Sequence, residues 1–500
     1  MNAESLAFGP LGVLLVGIFL TYVAAAASDH DEVAGWLAAL VCAVALGATV
    51  LLTTTALPSS YSVLGDAGAL RITYLGVLVA GIATFVGAVA SVTSVRFLDA
   101  GQETYYPLLI ALVAGVVGIG FSADMFTLYV SFELMAVASY ALVPFRLGRE
   151  SAVAAGSRYL IMNVVGSVLA IFGISLVYAN SGGVLAFDAL GSALVASEGQ
   201  LVDPLAIAVL FLVVGFGVKA AIVPLHTWLP DAYTEAPAAI SALLAGVATP
   251  AALVAISKCL AVFPGSIPSG LLLVGFGAVT MTVGNLLALR QRELKRLLAY
   301  SSIPHIGYIV VGLGVGLYGG GVVAFDGAFF HILANALMKG GAFLAVGAIL
   351  YRLRRVDPDN PGTMDSVAGI GYQMPVAAAA LVVGVLALAG VPPLAGFWGK
   401  LFIVVASAEA AGTAGILLAL LVVANSFLSL GYYLPLLRSL FARDDEQSFA
   451  ELRPSPRAIA VPLVVVTTLT IVVGLAPVAG FEIVHPAAEA MADTIPEVSA

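Results

Sequence analysis

Charge is scarce in this chain. Asp, Glu, Lys and Arg make up 10% of its 500 residues, where an ordinary soluble chain carries roughly 25%. A water-facing surface cannot be built from so little, so the soluble domains that length alone would suggest are excluded. Cysteine is nearly absent. Cys42 and Cys259 both lie in apolar runs and support neither a disulfide framework nor a metal knuckle. The five histidines lie too far apart in sequence to suggest a metal cage. Positive charge is also short: the formal net charge is −9 and there is no basic stripe, which excludes nucleic acid as a partner. No phosphate-cradling glycine loop at a strand-helix junction, no His-Glu-x-x-His and no Gly-x-Ser-x-Gly nucleophile elbow occurs. What abounds is apolar side chain, 61% of residues, with a mean hydropathy of +1.08. For most of the length the solvent must be lipid.

A spanning helix needs about 20 mostly apolar residues. Fourteen stretches qualify, at 8–27, 33–55, 72–96, 105–120, 122–145, 155–179, 202–225, 238–263, 268–289, 296–317, 321–350, 373–405, 411–438 and 457–480. The expectation is an all-α polytopic membrane protein. The first stretch follows Met1–Glu4 with no basic run and reads as a spanning helix rather than a cleaved signal. The longest polar connections fall at 181–201 and 351–366, with a hinge expected at 355–362. Acidic residues Glu482, Glu489, Asp493 and Glu497 suit a solvated tail. Arginine crowds the loops after odd-numbered helices: Arg96; Arg146, Arg149 and Arg158; Arg290, Arg292 and Arg296; Arg352, Arg354 and Arg355; Arg438, Arg443, Arg453 and Arg457. Loops after even-numbered helices hold Arg71, with Lys258 at a helix end. The positive-inside rule then makes the odd loops cytoplasmic and both termini extracytoplasmic, in a multi-pass protein of the cell membrane.

Five lysines stand against fifteen arginines, and three of the five, Lys219, Lys339 and Lys400, lie inside apolar helices. Arginine keeps its proton, whereas a buried lysine can lose one. A charge in mid-helix costs about 2.5–3.5 kcal/mol on insertion scales, and intramembrane ionisable residues are functional by default. Glu133, deep in the fifth span, needs a counter-charge or a proton, and Lys219 is the natural candidate. A static pair that pins two helices is the structural alternative. Two helices read as broken, one at Pro224 after Lys219, the other at Pro392 and Pro393 before Lys400. A proline removes a backbone donor, and paired broken helices in two halves point to an inverted-repeat transporter site. His331, Asn335 and Lys339 fall at i, i+4 and i+8, one face of the eleventh span, as a relay or as helix-helix glue. His305 and Ser301–Ser302 extend that stripe.

The segment Lys219-Ala-Ala-Ile-Val-Pro-Leu-His-Thr-Trp-Leu-Pro-Asp-Ala-Tyr-Thr-Glu-Ala-Pro237 resembles the signature of antiporter-like membrane subunits. These include the D-type subunit of Mrp-type cation/proton antiporters and the large pumping subunits of respiratory complex I. Phe132-Glu-Leu-Met135, Lys295-Arg-Leu-Leu-Ala-Tyr-Ser-Ser302, the run from His331 to Lys339, and Gly390-Val-Pro-Pro-Leu-Ala-Gly-Phe-Trp-Gly-Lys400 follow in the order of that family. The resemblance covers about 105–440. It implies three N-terminal helices in 1–104, a first inverted repeat in 105–265, a second in 266–440, and a loop, helix and tail in 441–500. It implies that Glu133, Lys219, His331, Lys339 and Lys400 carry protons. It also implies other membrane subunits as partners, with protons and Na+ as the transported ions, and no cofactor or redox chemistry in this chain itself. One departure stands out: the family often has a lysine where this chain has Thr249 and Pro250. Lys258 matches a helix-ending basic residue and reads as an anchor. Ser241-Ala-Leu-Leu-Ala-Gly246 looks like the D-type Mrp version, while Phe397–Lys400 and Asn425–Tyr433 look closer to a complex I version. Mrp-like cation/proton antiport leads, a complex I subunit is the alternative, and a transport-inactive scaffold is the third reading.

Overall fold

The computed structural model describes residues 8–27, 32–55, 57, 62–63, 69–98, 101–145, 149–357, 360–442 and 456–496. Among the described residues the chain is helical almost throughout, and the one ribbon pairs Ser62–Val63 with Leu70–Arg71. Twelve described helices are long and apolar enough to cross a membrane, and they match twelve of the fourteen expected spans. The other two expected spans, the seventh and the twelfth, are interrupted: the seventh runs Phe187–Lys219 and resumes at Leu229–Glu235, and the twelfth is split into Pro375–Ala389 and Ala395–Ala410.

Burial sorts the spans into an interior and a rim. A helix buried all round lies inside, whereas one buried along a stripe faces its solvent. In an apolar stretch of 18 residues within each, the eighth (Ala238–Leu260), tenth (Leu294–Gly319) and eleventh (Gly321–Val356) spans have 100%, 94% and 94% of their residues buried. The corresponding stretches of the first (Gly9–Ala27) and thirteenth (Gly412–Leu440) have 22% and 28%. Their exposed faces carry Phe19, Leu417 and Phe427, side chains that lipid solvates and water does not. The eleventh helix is therefore the axis of the molecule.

Two expectations are corrected. The stretch 181–201 is not a polar connection, because the seventh helix already begins at Phe187. Leu190 and Leu194, one turn apart, are fully buried and dock its first turns. Nor is the tail after 480 simply solvated. Beyond a stop at Ala476, Pro477–Ala492 forms a further helix. Val484, Ala487, Ala488 and Met491 bury its apolar side while Glu482 and Glu489 face outward. The expected hinge begins where the eleventh helix ends, at Val356, with 358–359 outside the described residues.

The breaks are accounted for bond by bond. After Lys219 the chain turns through Ala221 at φ +54°, and Pro224 has no donor to offer. The Trp228 indole donates to the Val218 carbonyl at 2.7 Å, and Thr280 Oγ1 accepts from the Val223 amide at 3.1 Å. In the twelfth span Gly390 takes φ +83°, a left-handed cap that glycine adopts without a Cβ penalty. Its amide bonds the Ala387 carbonyl, and the Val391 amide bonds that of Leu386, which is a Schellman motif. Left over are the carbonyls of Leu388 and Ala389, and these are taken by Lys400 Nζ at 2.9 Å and Ser426 Oγ at 3.1 Å. A third irregularity lies in the eighth span, where Leu244–Ala248 widens into a π-turn ahead of Pro250. The Thr249 amide then bonds Leu244. The next carbonyl, Ala245, would need the amide hydrogen that Pro250 lacks. Asn335 Nδ2 supplies the donor at 3.0 Å.

Candidate proton-transfer axis

Ionisable and hydroxyl side chains gather at these interruptions. Glu133, on the fifth helix (Met125–Leu142), accepts from Ser167 Oγ at 2.5 Å. Lys219, fully buried at the first break, donates to Ser139 Oγ at 2.7 Å and to the hydroxyl of Tyr159. No ion pair within 4 Å joins Glu133 to Lys219 among the described residues. The expected direct contact is replaced by hydroxyls. Ser139 and Tyr140 follow Glu133 on the same helix, and the Lys219 ammonium lies 5.2 Å from the Tyr140 ring centre.

From Lys219 the polar line continues through aromatic residues. Tyr159 stacks on Trp228 at 4.3 Å, Trp228 meets Tyr233 edge-on at 6.3 Å, and the Tyr233 hydroxyl lies 2.5 Å from Thr249 Oγ1. Thr249 occupies the position where the family resemblance leads one to look for a lysine. Asn335, on the eleventh helix, meets the same π-turn from the other side. One turn along, Lys339 donates to the Leu298 carbonyl at 3.0 Å and to Ser301 Oγ at 2.7 Å.

One turn the other way from Asn335 lies His331. Its Nε2 is 3.0 Å from Nδ1 of His305, with the rings stacked 5.2 Å apart. Gly399 lets the second half of the twelfth span approach here, since a Cβ at that position would lie 2.9 Å from the His331 backbone. Lys400 follows directly. It is buried, and its ammonium reaches Leu388 O, Ser426 Oγ at 3.2 Å and the ring of Tyr308, 4.8 Å to the centre.

Of the five residues expected to carry protons, Lys219 and Lys400 belong to the broken spans, His331 and Lys339 to the continuous eleventh helix, and Glu133 to the unbroken fifth. Lys219 and Tyr159 are joined directly, His331 and His305 likewise, whereas Glu133 and Lys219 are not. Four buried polar atoms along the line, Tyr140 OH, Asn335 Oδ1, His331 Nδ1 and Tyr308 OH, make no hydrogen bond among the described residues. Such atoms suit bridging water. Lys258 stands apart, donating to Ile119 O, Gly120 O, Ser122 O and Ser122 Oγ at 2.7–3.1 Å. It caps the carboxyl end of the fourth helix, as an anchor would. The tyrosines were the part sequence reasoning missed. The available signal was spacing: Tyr140 follows Glu133 by two turns, and Tyr308 follows His305 by one.

Residues 122–429, more than half of the chain, match the family model described as NADH:quinone oxidoreductase/Mrp antiporter, TM. The F(420)H(2) dehydrogenase subunit N of Methanosarcina mazei is 31% identical over 482 residues, covering 93% of each chain. The NADH-quinone oxidoreductase subunit N of Salinispora tropica is 38% identical over 352 residues, covering 68% of this chain and 66% of the relative. In fold, a chain of the archaeal membrane-bound sulfane sulfur reductase superposes with a TM-score of 0.87 at 23% identity, covering 98% of both. A chain of the Mrp complex of Dietzia sp. gives 0.85 at 24% identity, over 99% of this chain and 98% of that one. A chain of respiratory complex I from Thermus thermophilus gives 0.77 at 24%, over 95% and 99%. This multi-pass membrane protein belongs to the NADH:quinone oxidoreductase/Mrp antiporter transmembrane family.

Proposed function

We propose that this chain is a proton-translocating, N-type antiporter-like subunit of a complex I-type oxidoreductase, working beside other membrane subunits. The sequence placed a D-type Mrp role first. The relatives named above are N subunits of F(420)H(2) and NADH-quinone dehydrogenases, and they turn the order round. The likeness to the Mrp complex remains a likeness of fold. Transport rather than scaffolding is favoured by one observation: Lys219, Lys339 and Lys400 are all buried at or beside interrupted helices. A scaffold has no use for three such charges, each costly at membrane depth. In the proposed cycle Glu133, Lys219, Lys339, the His305–His331 pair and Lys400 are successive proton stations, joined by hydroxyls and water.

Lys400 gives the decisive test. As a charged clamp on Leu388 O it would tolerate arginine, which keeps the charge and the donors. As a proton station it would not, because arginine holds its proton under working conditions. Lys400→Arg is expected to assemble normally and to transport as poorly as Lys400→Ala, measured as proton uptake by vesicles per assembled complex. A fully active arginine variant would remove Lys400 from the path.

A further inference from the structure

The three membrane-depth lysines are held differently. Lys219 and Lys339 are held by oxygen atoms: Ser139 and the Tyr159 hydroxyl for the first, Leu298 and Ser301 for the second. Lys400 also has two oxygens, Leu388 O and Ser426 Oγ, but its third neighbour is the ring of Tyr308. That tyrosine lies one turn beyond His305 on Ser302–Val315. Its ring meets His305 and His331 edge-on, at 5.8 and 5.9 Å. Its hydroxyl, beside Asn285, closes no hydrogen bond among the described residues. Lys219 also lies near tyrosine rings, 4.5 Å from the centre of Tyr159 and 5.2 Å from that of Tyr140, but there the Tyr159 hydroxyl takes a hydrogen bond from the lysine as well, while Tyr308 offers Lys400 its ring alone.

The two kinds of contact answer differently to the loss of a proton. A neutral amine still donates hydrogen bonds, so Leu388 O and Ser426 Oγ hold both forms of Lys400. The ring quadrupole attracts a cation and gives a neutral amine little. We infer that Tyr308 is a positioning residue for Lys400: its ring holds the ammonium form beside the His305–His331 pair and releases the neutral amine. The inference rests on the reading of Lys400 as a proton station. It adds a reason for the side chain to move when its charge changes, which carbonyl and hydroxyl contacts alone do not provide.

The test is the pH profile of proton transport by the assembled complex in vesicles. The limb to follow is the alkaline one, where the Lys400 ammonium gives up its proton as pH rises. Removing the ring weakens the ammonium form, so in Tyr308→Leu that limb should move to lower pH by about 0.5–1.5 units. Tyr308→Phe and Tyr308→Trp keep a ring face and should keep the wild-type limb. The titratable and charged groups around Lys400, namely His305, His331 and Lys339, are common to every variant, so the difference isolates the ring. A Tyr308→Leu profile identical to wild type overturns the inference, as does a Tyr308→Phe limb displaced as far as that of Tyr308→Leu, since the hydroxyl would then carry the effect. If Tyr308→Leu does not assemble, Tyr308→Met fills a similar space without a ring and is read in the same way. The two failures are separable. A wild-type complex that moves no protons defeats the proposed function, whereas a Lys400 limb that is present and unmoved by loss of the ring defeats this inference alone.

Discussion

At the residue scale, oxygen takes the place that opposite charge was expected to fill. Glu133 and Lys219 were read as partners because each is a charge at depth in the same half. The structure gives Glu133 a serine and Lys219 a serine and a tyrosine instead. A hydroxyl can both donate and accept, so a row of them passes a proton where a closed ion pair would hold it. Glu133→Ala and Lys219→Ala should each abolish proton transport in assembled complex. Ser167→Ala, which removes one hydrogen bond from a carboxylate, should slow transport about tenfold or more without loss of assembly. Vesicle assays on the three variants check this, and wild-type transport in Lys219→Ala would break the path at its first lysine. The buried charges were legible because a lysine or glutamate inside an apolar run stands out from its neighbours and needs a partner. The hydroxyls were not. Serine and tyrosine are common in membrane helices, and only the fold shows that Ser167 faces Glu133 or that Tyr308 lies under Lys400.

At the element scale, prolines and glycines in the sequence announced the two broken helices, and the structure shows how the freed backbone is used. Pro392 and Pro393 follow a glycine cap that satisfies two carbonyls and leaves two for Lys400 and Ser426. Pro250 raised no such expectation, because a lone proline in a helix usually means a kink. Here it leaves Ala245 O to Asn335, tying the eleventh helix to the eighth at the position where a lysine is missing. The terminal helix Pro477–Ala492 was also illegible, since its apolar residues are too few for a span. It is fixed to the eleventh helix by Phe481, stacked on Phe330 at 4.5 Å, and by His485, whose Nδ1 is 3.0 Å from the buried Asp326 carboxylate. Asp326 and, to a lesser degree, Glu489 raise the His485 pKa above its ordinary 6.5. A histidine favoured in its protonated form by docking contributes its full share below its free pKa of about 6.5 and loses it as pH rises through the raised value. Half exposure of the imidazole keeps that share small. Hydrogen exchange in the terminal helix, corrected for the intrinsic rate, should therefore quicken between about pH 6 and pH 8 in the wild type. In His485→Gln it should stay level across that range. A wild-type helix equally protected throughout would show that its apolar packing holds it without the histidine.

At the scale of the whole molecule, the loops report how many times the chain crosses. If the spans number fourteen, with each broken helix counted once, loops after odd-numbered spans share one side and loops after even-numbered spans the other. The ion pairs between loops and span ends obey this. Glu32, after the first span, pairs with Arg96, after the third. Asp231, in the last piece of the seventh, holds Arg158 and Arg296, near the starts of the sixth and tenth helices and so on the side of the loops after the fifth and ninth. On the other side Arg71, after the second, pairs with Asp188, after the sixth. The backbone bridge between Glu293 and Thr363 joins the loops after the ninth and eleventh, and that between Asp124 and Ala186 the loops after the fourth and sixth. Dropping the seventh helix from the count would put Asp231 and Arg158 on opposite sides of a bilayer. The contacts fix which loops lie together. Which face is cytoplasmic rests on arginine alone: Arg96, Arg149, Arg158, Arg290, Arg292, Arg296, Arg352, Arg354, Arg355, Arg438 and Arg457 belong to the odd side and Arg71 to the even, while Arg146, Arg443 and Arg453 lie outside the described residues. The positive-inside rule predicts that the odd side faces the cytoplasm, and with an even number of spans it predicts extracytoplasmic termini; the terminal residues themselves lie outside the described ones. Single cysteines near Met1 and near Ala500, in a background with Cys42 and Cys259 replaced, should react with an impermeant maleimide on intact cells. One at Arg354 should react only after permeabilisation. The reverse pattern at all three would invert the molecule and with it the direction of transport, and a split between the two termini would mean an odd number of crossings.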